Sequence, residues 1–344
     1  MKFFDAHCDT AKRVLDGEVD FSSAQGGGHV SLPGMLEAGI KGQIFACFVL
    51  SERHPGEERA RAEAMIATVR DMVAASQGEM AVVLTACDLE RAFSGGPIGA
   101  LIGLEGADPL GDDAENLRHF FKLGVRDVIP AWKDNAFSGT TFGKNTLLTE
   151  EGAGLIELAE ELGVMVDVSH LSNAAFAKVC EVAKKPFIAS HSNCRALCPS
   201  PRNLTDSMIR KIADRGGVVG INLSSAFLDP EFYDKTQSLR KEFMSLGQTS
   251  EEKKALRKKV RELPRPEADW IVRHIKHAIN VGGEDCIGLG GDLDGISSMP
   301  QGFETIADYA KIPDLLLQAG LNPRQVEKLC FRNFLRVFRE VLPR

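Results

Sequence analysis

Short apolar runs alternate with helix-patterned segments along the whole chain, and this rhythm restricts the fold more than any other feature. The runs are Lys2–Asp9, Gly42–Leu50, Ala100–Glu105, Val125–Trp132, Val164–His170, Pro186–His191, Gly217–Ser224 and Cys286–Asp292. Helical spacing marks Glu57–Ala75, Glu151–Leu162, Asn173–Ala183, Asp206–Arg215 and Ala268–Val281 between them. Strands that read as continuous apolar runs are buried on both faces, as in parallel sheets whose strands are joined by crossover helices. Eight such units close into a barrel of roughly 250 residues, leaving about 90 for insertions. The expectation is therefore α/β: a (β/α)8 TIM barrel, with residues 1–344 forming a single domain. An open doubly wound sheet would place a Gly-rich phosphate turn after the first strand, and His7–Thr10 offers none. An insertion at about 228–266, after the seventh strand, contains the charged stretch Ser238–Arg265, which reads as a solvated helix or, more sharply, as a lid over the barrel mouth.

Composition narrows the function. The 344 residues carry a formal net charge of −7, which disfavours a chain whose main task is holding nucleic acid or an anionic membrane. No apolar run is long enough to span a bilayer, and neither a secretion signal nor an apolar anchor is read at the ends. The 8 cysteines include no CxxC pair, so they predict neither a zinc finger nor a disulfide framework. A reduced, cytoplasmic protein without nucleic-acid or membrane partners is expected.

Barrel enzymes build their sites where strands end. The first run ends Asp5-Ala-His7-Cys8-Asp9, and period-two alternation puts His7 and Asp9 on one face. Other runs end in Glu105, in Asp167-Val-Ser-His170, in Ser190-His191-Ser192 and in Gly290-Gly-Asp292-Leu-Asp294-Gly. A lone histidine of this kind is usually structural. Five strand ends finishing in ionisable groups are hard to attribute to packing, because burying so many unpaired charges is costly without a metal. Imidazole and carboxylate donors suit Zn²⁺, with Mn²⁺, Co²⁺ or Fe²⁺ also fitting, and Glu105 can bridge two ions through its two oxygens.

These residues, in this order, resemble the membrane (renal) dipeptidase family of amidohydrolase-type, metal-dependent barrels. The resemblance runs from His7-Cys-Asp9 to Asn333-Phe-Leu-Arg-Val-Phe. It implies two zinc ions per chain, one on His7, Asp9 and Glu105, the other on Glu105, His170 and His191. It further implies Asp292 as the acid/base serving a metal-bridging hydroxide, and Arg202 as the partner of the substrate carboxylate. The implied activity is cleavage of the amide bond of dipeptides or dipeptide-like small molecules. Two positions depart from the best-known mammalian member. Trp132 stands where that protein has a histidine assigned to the substrate carbonyl, and Phe227 stands where it has a tyrosine. Both are substrate-side candidates, and the pocket should differ from the mammalian one. Homodimers are common in the resembled family, although no sequence patch here marks one.

Two other functions compete. A metal-dependent nuclease of TatD-like type would also use barrel-end ligands, but such proteins usually begin HxH and need a basic rim. A catalytically silent, ligand-binding barrel is kept open by Trp132 and Phe227. Several further signals carry little. Gly139–Lys144 (GTTFGK) is one residue short of a Walker A loop, and no GxSxG is present. His274 and His277 read as ordinary helix residues, and Cys194 and Cys198 as packing. Asp294 is a candidate acceptor supporting Asp292 or a neighbouring histidine, and His29 is assigned nothing.

Overall fold

A computed structural model describes residues 1–245 and 251–344. Its strands are β1 (Phe3–Cys8), β2 (Ile40–Phe48), β3 (Met80–Val82), β4 (Ile98–Glu105), β5 (Val125–Ile129), β6 (Met165–Val166), β7 (Val219–Ile221) and β8 (Ile287–Leu289). All pairings between these strands are parallel, in the order β6-β5-β4-β2-β1-β8-β7, with β3 flanking β4 outside this path. Residues 187–190 close the gap between β6 and β7 through single bridges, Asp167 to Ile188 and Ala189 to Val219. With that segment included, eight parallel stretches ring the core, and the (β/α)8 reading holds.

The strand expectations shift in three places. The stretch Pro186–His191 forms bridges rather than a continuous strand, and β3 was not anticipated. Three residues are too few to give a periodicity, and β3 is recognisable only by its register with β4, Ala81 lying opposite Gly99. Val125–Trp132 also stops early as a strand, at Ile129, because Pro130 has no N–H to continue the ladder. The helices fall within one or two residues of their expected bounds. Glu58–Ala75, Glu150–Leu162, Asn173–Val182, Asp206–Asp214 and Asp269–Gly282 are the counterparts of the five helical patterns.

The insertion after β7 holds two helices, Pro230–Ser245 and Glu251–Arg261, and its residues 246–250 lie outside those described. At the opposite end, the C-terminal helix Asn333–Val341 seals the barrel floor. Phe334 and Phe338 stack on Phe4 at 5.1 and 5.3 Å between ring centroids. Gly288 is required there, since a Cβ would overlap the Phe334 ring. With the floor plugged by aromatic rings, the carboxyl ends of the strands are left as the place for polar chemistry. Among the described residues, no helix is long and apolar enough to cross a membrane.

Candidate metal centre

Five donors converge where the strands end. His7 and Asp9 leave the end of β1, Glu105 ends β4, His170 follows β6 and His191 follows the 187–190 segment. Glu105 is the hub. Its Oε2 lies 3.4 Å from His7 Nε2, and its Oε1 lies 3.0 Å from His170 Nε2 and 3.7 Å from His191 Nε2. Asp9 Oδ2 lies 3.8 Å from His7 Nε2. Two triads, His7–Asp9–Glu105 and Glu105–His170–His191, each bring their donor atoms within 4.8 Å of one another. A third set, His7–His191–Asp292, does the same and places Asp292 against this cluster.

The donor atoms are those of a cation site. Both ring nitrogens of His7 are buried without a hydrogen-bond partner, a costly state for an imidazole enclosed by protein. His170 and His191 point their Nε2 atoms at each other across 3.0 Å. The Ser190 hydroxyl pairs with His191 Nδ1 at 2.6 Å, which leaves Nε2 as the atom facing the cluster. Nitrogen and carboxylate oxygen donors without thiolates, converging on a common volume, match a divalent ion such as zinc. All eight cysteines are free. Cys194 turns away from the centre, its Sγ donating to the His274 carbonyl at 3.4 Å.

Electrostatics show the strain of gathering these groups. Burial pulls His7 down, but Glu105, Asp9 and Asp292 outweigh it and lift its pKa to about 10. Burial together with the Glu105 charge pushes the Asp9 carboxyl well above the usual range. Glu105 itself is held low by His7 and His170 despite its burial. Burial, reinforced by the Arg202 charge, drops His170 to about 3.

The backbone is strained at the same place. His170, Asp292 and Asp294 adopt φ of 71°, 59° and 67°, in the left-handed region that non-glycine residues avoid. Such residues cost of order 1–3 kcal/mol each and cluster at functional sites. Surrounding bonds hold them. The His170 carbonyl accepts from Thr141 N at 2.9 Å, and Asp292 N donates to the His7 carbonyl at 3.1 Å, stitching the Gly290–Gly295 turn to β1. A Cβ on Gly295 would overlap Asp9 Oδ2 and lie 2.6 Å from Asp292 Oδ1, so a larger residue there must displace both carboxylates.

The structure also defines the surroundings of the substrate-side candidates. Arg202 is 3% exposed, its Nη1 donating to Ser192 Oγ at 2.7 Å and its Nη2 to the His191 carbonyl at 2.9 Å. Its Nε has no partner, so the guanidinium keeps donors to spare. Trp132 is half-buried, its ring centroid 6.0 Å from that of His170. Phe227 lies in the short helix Ser225–Leu228, where its carbonyl accepts from Asn203 Nδ2 at 2.9 Å.

Asn222 is a site residue that the sequence did not mark. Its Nδ2 donates to Asp292 Oδ2 at 2.8 Å, while Asn193 and Asn222 exchange two further bonds that fix it. Asp294 differs from expectation. It accepts from Thr10 Oγ1, from Arg13 Nη1 and from the backbone N–H of His29, and so anchors the helix Thr10–Leu15 and the loop that follows it rather than bonding Asp292. His29 Nδ1 in turn accepts from Asp294 N at 2.9 Å. His274 is structural, bridging Cys194 N and the Leu228 carbonyl.

A closed ring of parallel strands with a His/carboxylate centre at its mouth is the architecture of a barrel protein built to hold divalent metal. Comparison with known proteins gives the family. The family model described as membrane dipeptidase (peptidase family M19) matches residues 1–342. A Klebsiella pneumoniae protein described only as uncharacterised, from the pqqA 5′ region, is 32% identical over 284 residues, covering 80% of this chain and 94% of its own. A crystal structure of an M19 metallopeptidase called dipeptidase AC superposes with a TM-score of 0.85 at 26% identity, over 100% of this chain and 99% of that one. A Rhodobacter sphaeroides metallopeptidase, solved with a phosphinate mimic of the dipeptide L-Ala-D-Ala, gives 0.84 at 26% identity, covering 99% of each chain. The chain belongs to the membrane dipeptidase family, peptidase family M19.

Proposed function

We propose that this protein hydrolyses the amide bond of dipeptides or closely similar small molecules, using two zinc ions. His7, Asp9 and Glu105 would hold one ion, and Glu105, His170 and His191 the other. When bound, such a pair polarises a carbonyl and lowers the pKa of water toward ~7. The remaining chemistry falls to the chain's own groups. Asp292 presents a carboxylate oriented through Oδ2 by Asn222. Burial and the nearby Glu105 charge raise its pKa, although His7 and Arg202 oppose the shift. A carboxyl so poised can take a proton from the attacking water and return it to the departing amine. Arg202, held by Ser192 and the His191 carbonyl, offers its unused N–H groups to the free carboxylate of the substrate. Anchoring that carboxylate beside the centre restricts the substrate to a short peptide.

The observation that carries this reading is the pair of donor triads sharing Glu105 at the barrel mouth. The nuclease alternative finds no support, since the matched family and the superposed structures named above are peptidases. The test is turnover of L,L- and L,D-dipeptides, an N-acyl amino acid and single-stranded DNA, with and without chelator, alongside metal analysis. Chelator-sensitive hydrolysis of dipeptides with two zinc ions per chain is expected. No chelator-sensitive hydrolysis of any amide would favour the silent barrel.

A further inference from the structure

We propose that Phe48 and Trp132 form an aromatic wall that selects a large apolar side chain, aromatic above all, at the amino-terminal residue of the dipeptide. This rests on the reading of Arg202 as the anchor of the substrate carboxylate. Phe48 ends β2 and lies in register with Glu105 of β4, while Trp132 follows β5. Their ring centroids are 4.6 Å apart with planes tilted by 48°. Both rings are half-buried, and Trp132 stands beside His170.

Position around the ring gives the wall its role. The eight stretches run β1, β2, β4, β5, β6, 187–190, β7, β8. The wall straddles the third of these, β4. Arg202 bonds to the carbonyl of His191, just beyond the sixth, and that same carbonyl lies 3.5 Å from Asn222 Nδ2, beyond the seventh. It therefore sits at the sixth and seventh stretches. In a ring of eight, the third place faces the seventh, and the Glu105–His170–His191 donors run from the third stretch to the sixth. A dipeptide with its carboxylate on Arg202 and its amide over the donors extends its amino-terminal residue to the wall.

The wall's chemistry then selects the side chain. Lys133 beside it is already paired with Glu52 on the rim. Asp108 accepts from Ser51 Oγ and from Asn135 Nδ2, each at 3.1 Å, and so braces the loops that carry the two rings. A charged side chain would lose its water there without gaining a partner, whereas an apolar one gains contact with two rings.

The test measures kcat/KM of the metal-loaded protein on Xaa-Ala dipeptides (Gly, Leu, Phe, Asp or Lys first) and on the matching Ala-Xaa series. Phe-Ala and Leu-Ala should exceed Gly-Ala by roughly tenfold to a hundredfold. Trp132→Ala and Phe48→Ala should each shrink that ratio, leaving metal content and the ratios within the Ala-Xaa series unchanged. Trp132→Phe should keep most of it. A flat Xaa-Ala series in the unmodified protein overturns this inference alone. So does a preference that survives both alanine variants, or a loss that falls on the Ala-Xaa series. Failure of the unmodified protein to cleave any dipeptide overturns the dipeptidase reading and this inference together.

Discussion

Replacing Glu105 by glutamine tests the centre at its hub, because one carboxylate touches three histidines. Gln keeps the shape and removes the charge. In the metal-free protein the 3.4 Å between Glu105 Oε2 and His7 Nε2 corresponds to about 5 kcal/mol at an effective dielectric constant of about 20. That is more than a thousandfold in proton affinity at ~1.4 kcal/mol per tenfold. His7, lifted to about 10 against its burial chiefly by Glu105, should therefore titrate near or below the ordinary histidine range in Glu105→Gln. The sign for stability follows. A raised histidine pKa stabilises the fold fully below the unfolded value of ~6.5, and that contribution is lost as pH rises through about 10. The metal-free wild type should thus lose stability between these pH values, and the variant should lose less. Glutamine also cannot bridge two cations, so bound metal should fall and dipeptide turnover should drop by more than roughly 100-fold, beyond the usual cost of losing a supporting group. Imidazole NMR titration of the metal-free proteins reads the first effect; metal analysis and turnover read the second. Unchanged His7 titration together with unchanged metal content would refute the hub.

Other perturbations report on separate parts of the structure. Gly295→Ala should lower both metal content and turnover, because its methyl group collides with Asp9 and Asp292; equal values would show that the turn yields freely. Asn222→Ala should leave metal content intact while lowering kcat and shifting its acidic pH limit, since Asp292 loses its oriented donor; a change in KM alone would argue against this positioning role. Ser192→Ala should raise KM for dipeptides more than it lowers kcat, because it loosens Arg202 rather than the donor cluster; kinetics on one good substrate decide this. His274, buried and lowered to about 4 by desolvation, stays neutral in the fold while the unfolded chain protonates below ~6.5. Its stability contribution is complete above that value and falls away by up to about 3 kcal/mol as pH drops toward 4. Urea unfolding at pH 7 and pH 4.5 should show a smaller difference in His274→Gln than in the wild type.

Much of this protein was legible because its information is local. An apolar run reveals a doubly buried strand, and the residue that interrupts its end reveals a site. His7, Asp9, Glu105, His170 and His191 each announced themselves within their own few residues, and the structure brings all five together. Helix bounds were similarly local, set by capping residues such as Thr149, Ser172 and Thr205. What required the tertiary structure lies between segments distant in sequence. β3 exists only through its register with β4, and the 187–190 stretch counts as a strand only because its neighbours bridge to it. Asn222 reaches Asp292 across 70 positions, and Thr10 reaches Asp294 across 284. No periodicity predicts such partners, since a hydrogen-bonding side chain is satisfied by whatever the closed ring brings near. The same holds for Phe48, an ordinary strand residue by sequence, whose place against Trp132 arises only when the barrel closes. The sequence by itself marked residues that carry metal-donor atoms, because each interrupts its own strand end; closure of the ring decided which groups orient them and what they face.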